Sequence, residues 1–355
     1  MTPLRRVLVE RIEAAGPITI AEFMSECLMN PDHGYYRTRD PFGSSGDFTT
    51  SPEISQMFGE VIGLAMAQAW LDCGRPTEVV LVELGPGRGT LMKDVLRACR
   101  AVPVLADVMS VHLVEASEAL RARQRETLSG QELAWHNDLS TLPHGSPAFM
   151  IANEFFDALP IRQFVRAGDG WRERVIGAEG CQLRFGLAPP APQPGLADRL
   201  GDTGEGDLVE VCPAGVATAA EIGGRIAKDG GFAIIVDYGG RRSLGDTLQA
   251  IRRHDPVDPL EAIGDADITA HVDFHAIAGA AERSGAQVSK LITQGVFLER
   301  LGITARARRL AEGLSGARLE AHVAAHRRLT HPEEMGSLFK AIAIHDGTLP
   351  PGFDE

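Results

Sequence analysis

The chain has 355 residues, 44% apolar and 23% charged, with 35 Lys and Arg against 48 Asp and Glu, a formal net charge of −13. Those values exclude a disordered or fibrous polymer. The acidic balance argues against a general binder of nucleic acid or anionic membrane, which needs a basic field. The five cysteines, Cys27, Cys73, Cys99, Cys181 and Cys212, are odd in number and never spaced C-x-x-C. They read as reduced thiols of a cytoplasmic protein, with neither a disulfide frame nor a zinc site. No apolar run approaches the roughly 20 residues of a spanning helix, and the N-terminal stretch has no secretory apolar core, so no membrane insertion is expected.

Residues 4–29 carry apolar side chains at helical spacing, Leu4, Leu8 and Ile12, then Ile20, Phe23, Met24 and Leu28. Gly16-Pro17 divides them into two helices. Residues 30–52 are rich in Pro, Gly, Ser, Thr and Asp, too long for an idle connection, and read as a functional loop or lid. Its 42–52 portion, with Asp47 and Phe48, is expected either to close over the cofactor and exclude water or to be a packed loop with no catalytic part. Ser51 as cap and Pro52 as first helical residue begin a helix reaching about Cys73. Residues 1–75 thus form an N-terminal helical region with a lid-like loop.

Beyond residue 76 the pattern alternates. Apolar runs at 79–84, 111–115, 149–152 and 232–237 are separated by helical patterns at 90–100, 118–128 and 214–228. Such alternation predicts an α/β fold with a mostly parallel sheet covered by helices. Two insertions interrupt this second domain, at about 161–230 and 240–300. The first begins with an antiparallel ribbon over 161–187, followed by a Pro/Gly-rich surface connection at 188–206; residues 240–275 are polar and rich in turns. A last strand is expected at 338–344. His322 and His326 lie four apart on a helix without a third ligand, which reads as a solvated helix face and not as a metal site.

The most informative stretch is Glu83-Leu84-Gly85-Pro86-Gly87-Arg88-Gly89-Thr90. A strand ends in an acid, three glycines follow at alternate positions, and a helix begins. Glycines there permit a tight turn and close approach of a ligand to the backbone, and the helix start offers open N–H groups. No Lys-Ser or Lys-Thr follows Gly89, so the loop is not a phosphate-binding P-loop, and the spacing is not G-x-G-x-x-G. The acid two residues before Gly85 matches the loop of class I S-adenosylmethionine methyltransferases, with Glu83 serving the methionine end and Gly85, Gly87 and Gly89 passing under the ribose. Glu115, closing the second strand, can accept both ribose hydroxyls, and Asp138 is placed for an adenine amino group. Ligands of such sheets sit beyond the carboxyl ends of strands, which makes Asn153, Glu154 and Asp157 site candidates, with Asn153 at the cofactor. Asp237 follows a further strand end.

Several further segments resemble the MidA family of class I methyltransferases nearly end to end. They include GDFTTSPE at 46–53, ELGPGRGTL at 83–91, NEFFDALP at 153–160, IVDYGG at 235–240, DITAHVDF at 267–274 and EMGSLFK at 334–340. The resemblance implies a Rossmann-like methyltransferase sheet with inserted segments, S-adenosyl-L-methionine as methyl donor and a protein substrate. In the family's mitochondrial member the substrate is an arginine on a NADH dehydrogenase subunit, in assembly of complex I. The paired-glutamate loop of the main arginine methyltransferases is missing, so arginine chemistry comes from the resemblance alone; a non-catalytic assembly factor retaining the pocket is the alternative. A guanidinium is a poor nucleophile because its charge is delocalised. Glu154 is the first choice for the catalytic carboxylate, with Asp157 or Asp237 behind it.

Overall fold

A computed structural model describes residues 2–38 and 49–354; the lid expectation for Asp47 and Phe48 falls outside these. The chain divides into two compact units, one of residues 49–156, 216–239 and 274–355, the other of 1–48, 157–215 and 240–273.

The larger unit is built on a mixed sheet in the order Gln287–Val288, Phe339–His345, Gly231–Gly240, Ala148–Asn153, Val79–Leu84, Met109–Val114, Leu133–His136. From Gly231–Gly240 to Leu133–His136 all neighbours are parallel. Phe339–His345 runs antiparallel to Gly231–Gly240, with Phe232 opposite His345. Val79–Leu84 and Ala148–Asn153 are buried throughout, as expected of strands covered on both faces. The chain runs outward from Val79–Leu84 through two strands, then returns to its other side as Ala148–Asn153. The strand order therefore reverses between these two, and a crevice at that point is where α/β sheets bind ligands. This is the Rossmann-like sheet expected.

The helix Gln56–Asp72 buries most of its surface, including Phe58, Ile62, Met66 and Trp70. It lies so close to Thr90–Cys99 that a Cβ on Gly63 would stand 2.7 Å from the Val95 carbonyl oxygen. This packing brings the helix into the sheet unit, which begins at residue 49 and not at 76. Nor is the helix continuous from Ser51. Thr50 precedes a short turn, Ser51–Ile54, without a side-chain capping bond, its carbonyl accepting the Glu53 amide at 2.9 Å; Ser55 is extended and restarts the helix by accepting from the Met57 amide. The pair His322 and His326 is not a solvated face. Their Nε2 atoms lie 2.8 Å from the Ala307 carbonyl and 2.9 Å from Thr304 Oγ1, so both rings pack toward the helix Ile303–Ala311.

In the smaller unit Pro3–Ala15 and Ile20–Met29 are separated at Gly16, and Thr19 with Glu22 forms a reciprocal cap. The strands Arg162–Ala167, Gly170–Glu179 and Gln182–Leu187 form the expected antiparallel ribbon. Ile18–Thr19 and Leu208–Val211 extend it. Residues 188–206 are more than a connection, because Leu196, on a 3-10 turn over Pro194–Gly201, packs with Phe164, Trp171 and Val209. Residues 240–275 contain a small sheet of Gln249–Arg252, Asp255–Val257 and Asp267–Thr269. One apolar core joins Leu8, Phe23, Met24, Ile176 and Ile263, so the N-terminal helices and parts of both insertions form a single body.

Candidate active site

Gly85, Gly87 and Gly89 all adopt positive φ, at 62°, 51° and 82°. At Gly85 the requirement is twofold: the left-handed backbone disfavours a side chain, and a Cβ would stand 2.8 Å from Phe155 Cδ2. The Gly85 N–H donates to the Val114 carbonyl at 3.0 Å, which pins the loop to the neighbouring strand.

Glu83 is buried immediately before this loop, and its Oε2 has no hydrogen-bond partner among the described residues. Burial raises its pKa to about 8, against the lowering effect of the Met92 amide, and nearby Glu115 adds to the rise. Glu115 Oε1 accepts the Ser117 amide at 2.8 Å and Oε2 accepts Gln124 Nε2 at 3.3 Å. Burial raises its pKa and those two bonds oppose the rise.

Gln124 was not anticipated. Fully buried, it donates to the Gly87 carbonyl at 2.8 Å and accepts from Trp135 Nε1 at 2.8 Å, so one amide ties the glycine loop to Glu115 and to the third strand. The sequence offers only a glutamine within a charged amphipathic helix, which is no signal. Asp138 is exposed. Its Oδ1 accepts the Ser140 amide at 2.9 Å and caps a 3-10 turn, and bonds from Ser140 lower its pKa. One of its oxygens is thereby committed to the turn.

Asn153 and Glu154 close Ala148–Asn153. Glu154 sits at φ 51°, uncommon for a residue with a side chain and concentrated at functional sites. Its amide donates to the Val236 carbonyl at 2.9 Å. Its Oε1 accepts the Ser51 amide at 2.8 Å and Asn153 Nδ2 at 3.0 Å. Burial raises its pKa to about 7, opposed by these bonds, by the nearby Ser51 hydroxyl and by the charge of Arg328. The contribution of Ser51 was also missed, since its sequence signal was a helix cap.

Asp237 departs from its expected catalytic place. It is fully buried, with Oδ2 accepting the amides of Phe155 at 3.2 Å and Phe156 at 2.9 Å, and Oδ1 accepting that of Tyr238 at 2.9 Å. Both oxygens hold backbone. Asp157 belongs to the smaller unit, where it is buried and its carbonyl accepts the Ala270 amide at 3.0 Å.

A family model described as an S-adenosyl-L-methionine-dependent methyltransferase matches residues 61–292. Protein arginine methyltransferase NDUFAF7, mitochondrial, of Homo sapiens is 38% identical over 372 aligned positions, covering 97% of this chain and 83% of its own. The NDUFAF7 homolog of Drosophila melanogaster is 35% identical, covering 99% and 87%. A crystal structure of a candidate methyl transferase from Burkholderia thailandensis, bound to S-adenosyl-homocysteine, matches with a TM-score of 0.82 at 30% identity. It covers 99% of this chain and 92% of that one.

Proposed function

The chain belongs to the MidA-like family of S-adenosyl-L-methionine-dependent methyltransferases, and from that premise we propose that it methylates an arginine guanidinium on a protein. Glu154 carries this reading: a buried carboxylate at a strand end, one oxygen fixed by two N–H donors and the other with no aligned N–H donor among the described residues. The relatives' name, protein arginine methyltransferase, supplies the substrate class.

The residues at the strand ends suit the cofactor. The orphaned Glu83 Oε2 is a buried acceptor that a cationic group would satisfy, and the absent Cβ at Gly85 makes room for the Phe155 ring beside the loop. Glu115, held by Ser117 and Gln124, presents a carboxylate for a ribose diol, while Asp138 keeps Oδ2 for an adenine amino group.

Bound S-adenosyl-L-methionine supplies an electrophilic methyl, whose carbon–sulfur bond breaks as the carbon–nitrogen bond forms, the electron pair staying on sulfur. Glu154 draws the guanidinium charge away from the attacking nitrogen and accepts the proton that nitrogen loses. A pKa of about 7 suits that exchange. Asp237 positions the Phe155–Phe156 backbone that follows. The family resemblance further supports a substrate among NADH dehydrogenase subunits or related proteins, and the cysteine usage supports a cytoplasmic location.

The experiment is transfer from methyl-labelled S-adenosyl-L-methionine into a lysate lacking this protein, read by mass spectrometry of the modified residues. Methylarginine is expected. Label confined to other residues, or none at all, would sink the assignment.

A further inference from the structure

Among the described residues, three buried polar atoms around the Glu154 carboxylate lack a hydrogen-bond partner of good geometry: Ser51 Oγ, Asn153 Oδ1 and Glu154 Oε2, although the Ser51 hydroxyl stands near enough to the carboxylate to help lower its pKa. Ser51 is 0% exposed and Asn153 8%. Glu154 Oε1 already takes the Ser51 amide and Asn153 Nδ2, so each orphan belongs to a residue tied to that one oxygen, and the three gather around it. The orientation of the Asn153 amide follows from the same contact, because a flipped amide would press Oδ1 against Glu154 Oε1. Buried polar atoms are nearly always paired in native proteins, and leaving one unpaired is costly. Three together mark a missing partner. Asn153 Oδ1 and, once the carboxyl is ionised, Glu154 Oε2 are acceptors only, and the third is a hydroxyl, which accepts as well as donates. The complementary group is rich in donors, carries no acceptor and bears positive charge. A guanidinium is such a group, with five N–H donors fixed in one plane.

We propose that Ser51 Oγ, Asn153 Oδ1 and Glu154 Oε2 form the subsite that receives the substrate guanidinium, with Ser51 and Asn153 setting the preference for arginine over lysine. This rests on the arginine reading and moves the Asn153 side chain from cofactor to substrate. The cofactor's cationic end has its own unpaired acceptor in Glu83 Oε2. The ammonium of lysine, a strongly hydrated point charge, lacks the planar spread of donors that would reach acceptors from two chain segments.

Ser51→Ala removes the hydroxyl and keeps the amide that holds Glu154; Asn153→Ala removes the amide acceptor. Each variant and the wild type would be loaded with S-adenosyl-homocysteine and titrated with ethylguanidinium and with ethylammonium by NMR. The KM for an arginine peptide and calorimetric S-adenosyl-homocysteine affinity would be measured alongside. The proposal expects ethylguanidinium to bind wild type more tightly than ethylammonium. It expects each variant to lose roughly tenfold or more in ethylguanidinium affinity and in peptide KM, with S-adenosyl-homocysteine affinity and thermal midpoint retained. Variants that lose S-adenosyl-homocysteine affinity while still binding ethylguanidinium would overturn it, since the acceptors would then read the cofactor. Equal binding of the two cations by wild type would also overturn it. Wild type that methylates arginine peptides, with variants indistinguishable from it, sinks this inference alone; wild type that methylates no arginine sinks the arginine reading and this subsite with it.

Discussion

Asp237 Oδ2 accepts the Phe156 amide at 2.9 Å, and the same oxygen takes the Phe155 amide at 3.2 Å. The acid on one strand end thus holds the segment that leaves the neighbouring strand immediately after Glu154. Asp237→Asn puts an NH₂ where one of two accepting oxygens stood, so a buried N–H faces another donor. An unsatisfied buried group costs about 1–3 kcal/mol. The variant should lose about that much in urea denaturation, and its methyl transfer should fall more than its S-adenosyl-homocysteine affinity. An unchanged denaturation midpoint would show that the carboxylate is not holding the loop.

Glu154 and Glu83 make stability fall with rising pH. Both have folded-state pKa values raised by burial, to about 7 and about 8, from an ordinary 4.5. Between 4.5 and these values the folded chain holds protons that the unfolded chain has released. Their contribution is therefore fully present below about pH 4.5 and lost as pH rises through 7 and 8. For Glu154 the change is on the order of 3 kcal/mol. Glu154→Gln should flatten the decline between pH 4.5 and 7 and leave the part due to Glu83. The same titration generates the carboxylate that transfer requires, so kcat/KM should climb through about pH 7 in wild type. In Glu154→Gln it should lack that limb and drop roughly a hundredfold or more. A stability curve for Glu154→Gln parallel to wild type would rule out the raised pKa.

Gln124 is the tie between the glycine loop and two further strands, through Gly87, Glu115 and Trp135. Gln124→Leu keeps the volume close and removes all three bonds, leaving the Trp135 indole N–H and the Gly87 carbonyl without this partner. S-adenosyl-homocysteine affinity should fall about tenfold or more, with a shift in tryptophan emission. Calorimetry giving the wild-type dissociation constant would show that the loop holds its shape without Gln124.

What could be read in advance follows from how local each signal is. Glu83, Gly85, Gly87 and Gly89 stand at a strand-to-helix turn whose apolar run, acid and spacing are contiguous, and Glu115 and Asn153 close runs of buried β-branched and apolar residues. Ser51 and Gln124 are different. Ser51 reaches Glu154 across about a hundred residues and Gln124 reaches Gly87 across almost forty, so each matters through a tertiary contact that no local pattern encodes. Asp237 misled for the complementary reason: an acid at a strand end looks the same in sequence whether its oxygens face a ligand or a neighbouring turn. The helix Gln56–Asp72 precedes the alternation and so reads as part of the N-terminal region, whereas its burial comes from packing on a helix that follows the first strand.

Two helical glycines separate propensity from packing. Replacing glycine by alanine in a helix gains about 0.5–1 kcal/mol where there is room. At Gly224, in the helix Pro213–Asp229, the nearest atom to an added Cβ is Ser284 Cβ at 4.0 Å, so Gly224→Ala should be stabilising by about that amount. At Gly63 the same methyl would meet the Val95 carbonyl oxygen at 2.7 Å, Ala98 Cβ at 2.8 Å and Val95 Cα at 2.9 Å. Two of those atoms are backbone and cannot turn aside, so the helices Gln56–Asp72 and Thr90–Cys99 must separate. Overpacking costs about 1–3 kcal/mol, which exceeds the propensity gain, and Gly63→Ala should be destabilised by about 1–2 kcal/mol. Urea denaturation of the two variants should therefore move in opposite directions from wild type. A Gly63→Ala midpoint at or above wild type would mean that the close approach of these helices does not decide the residue at 63.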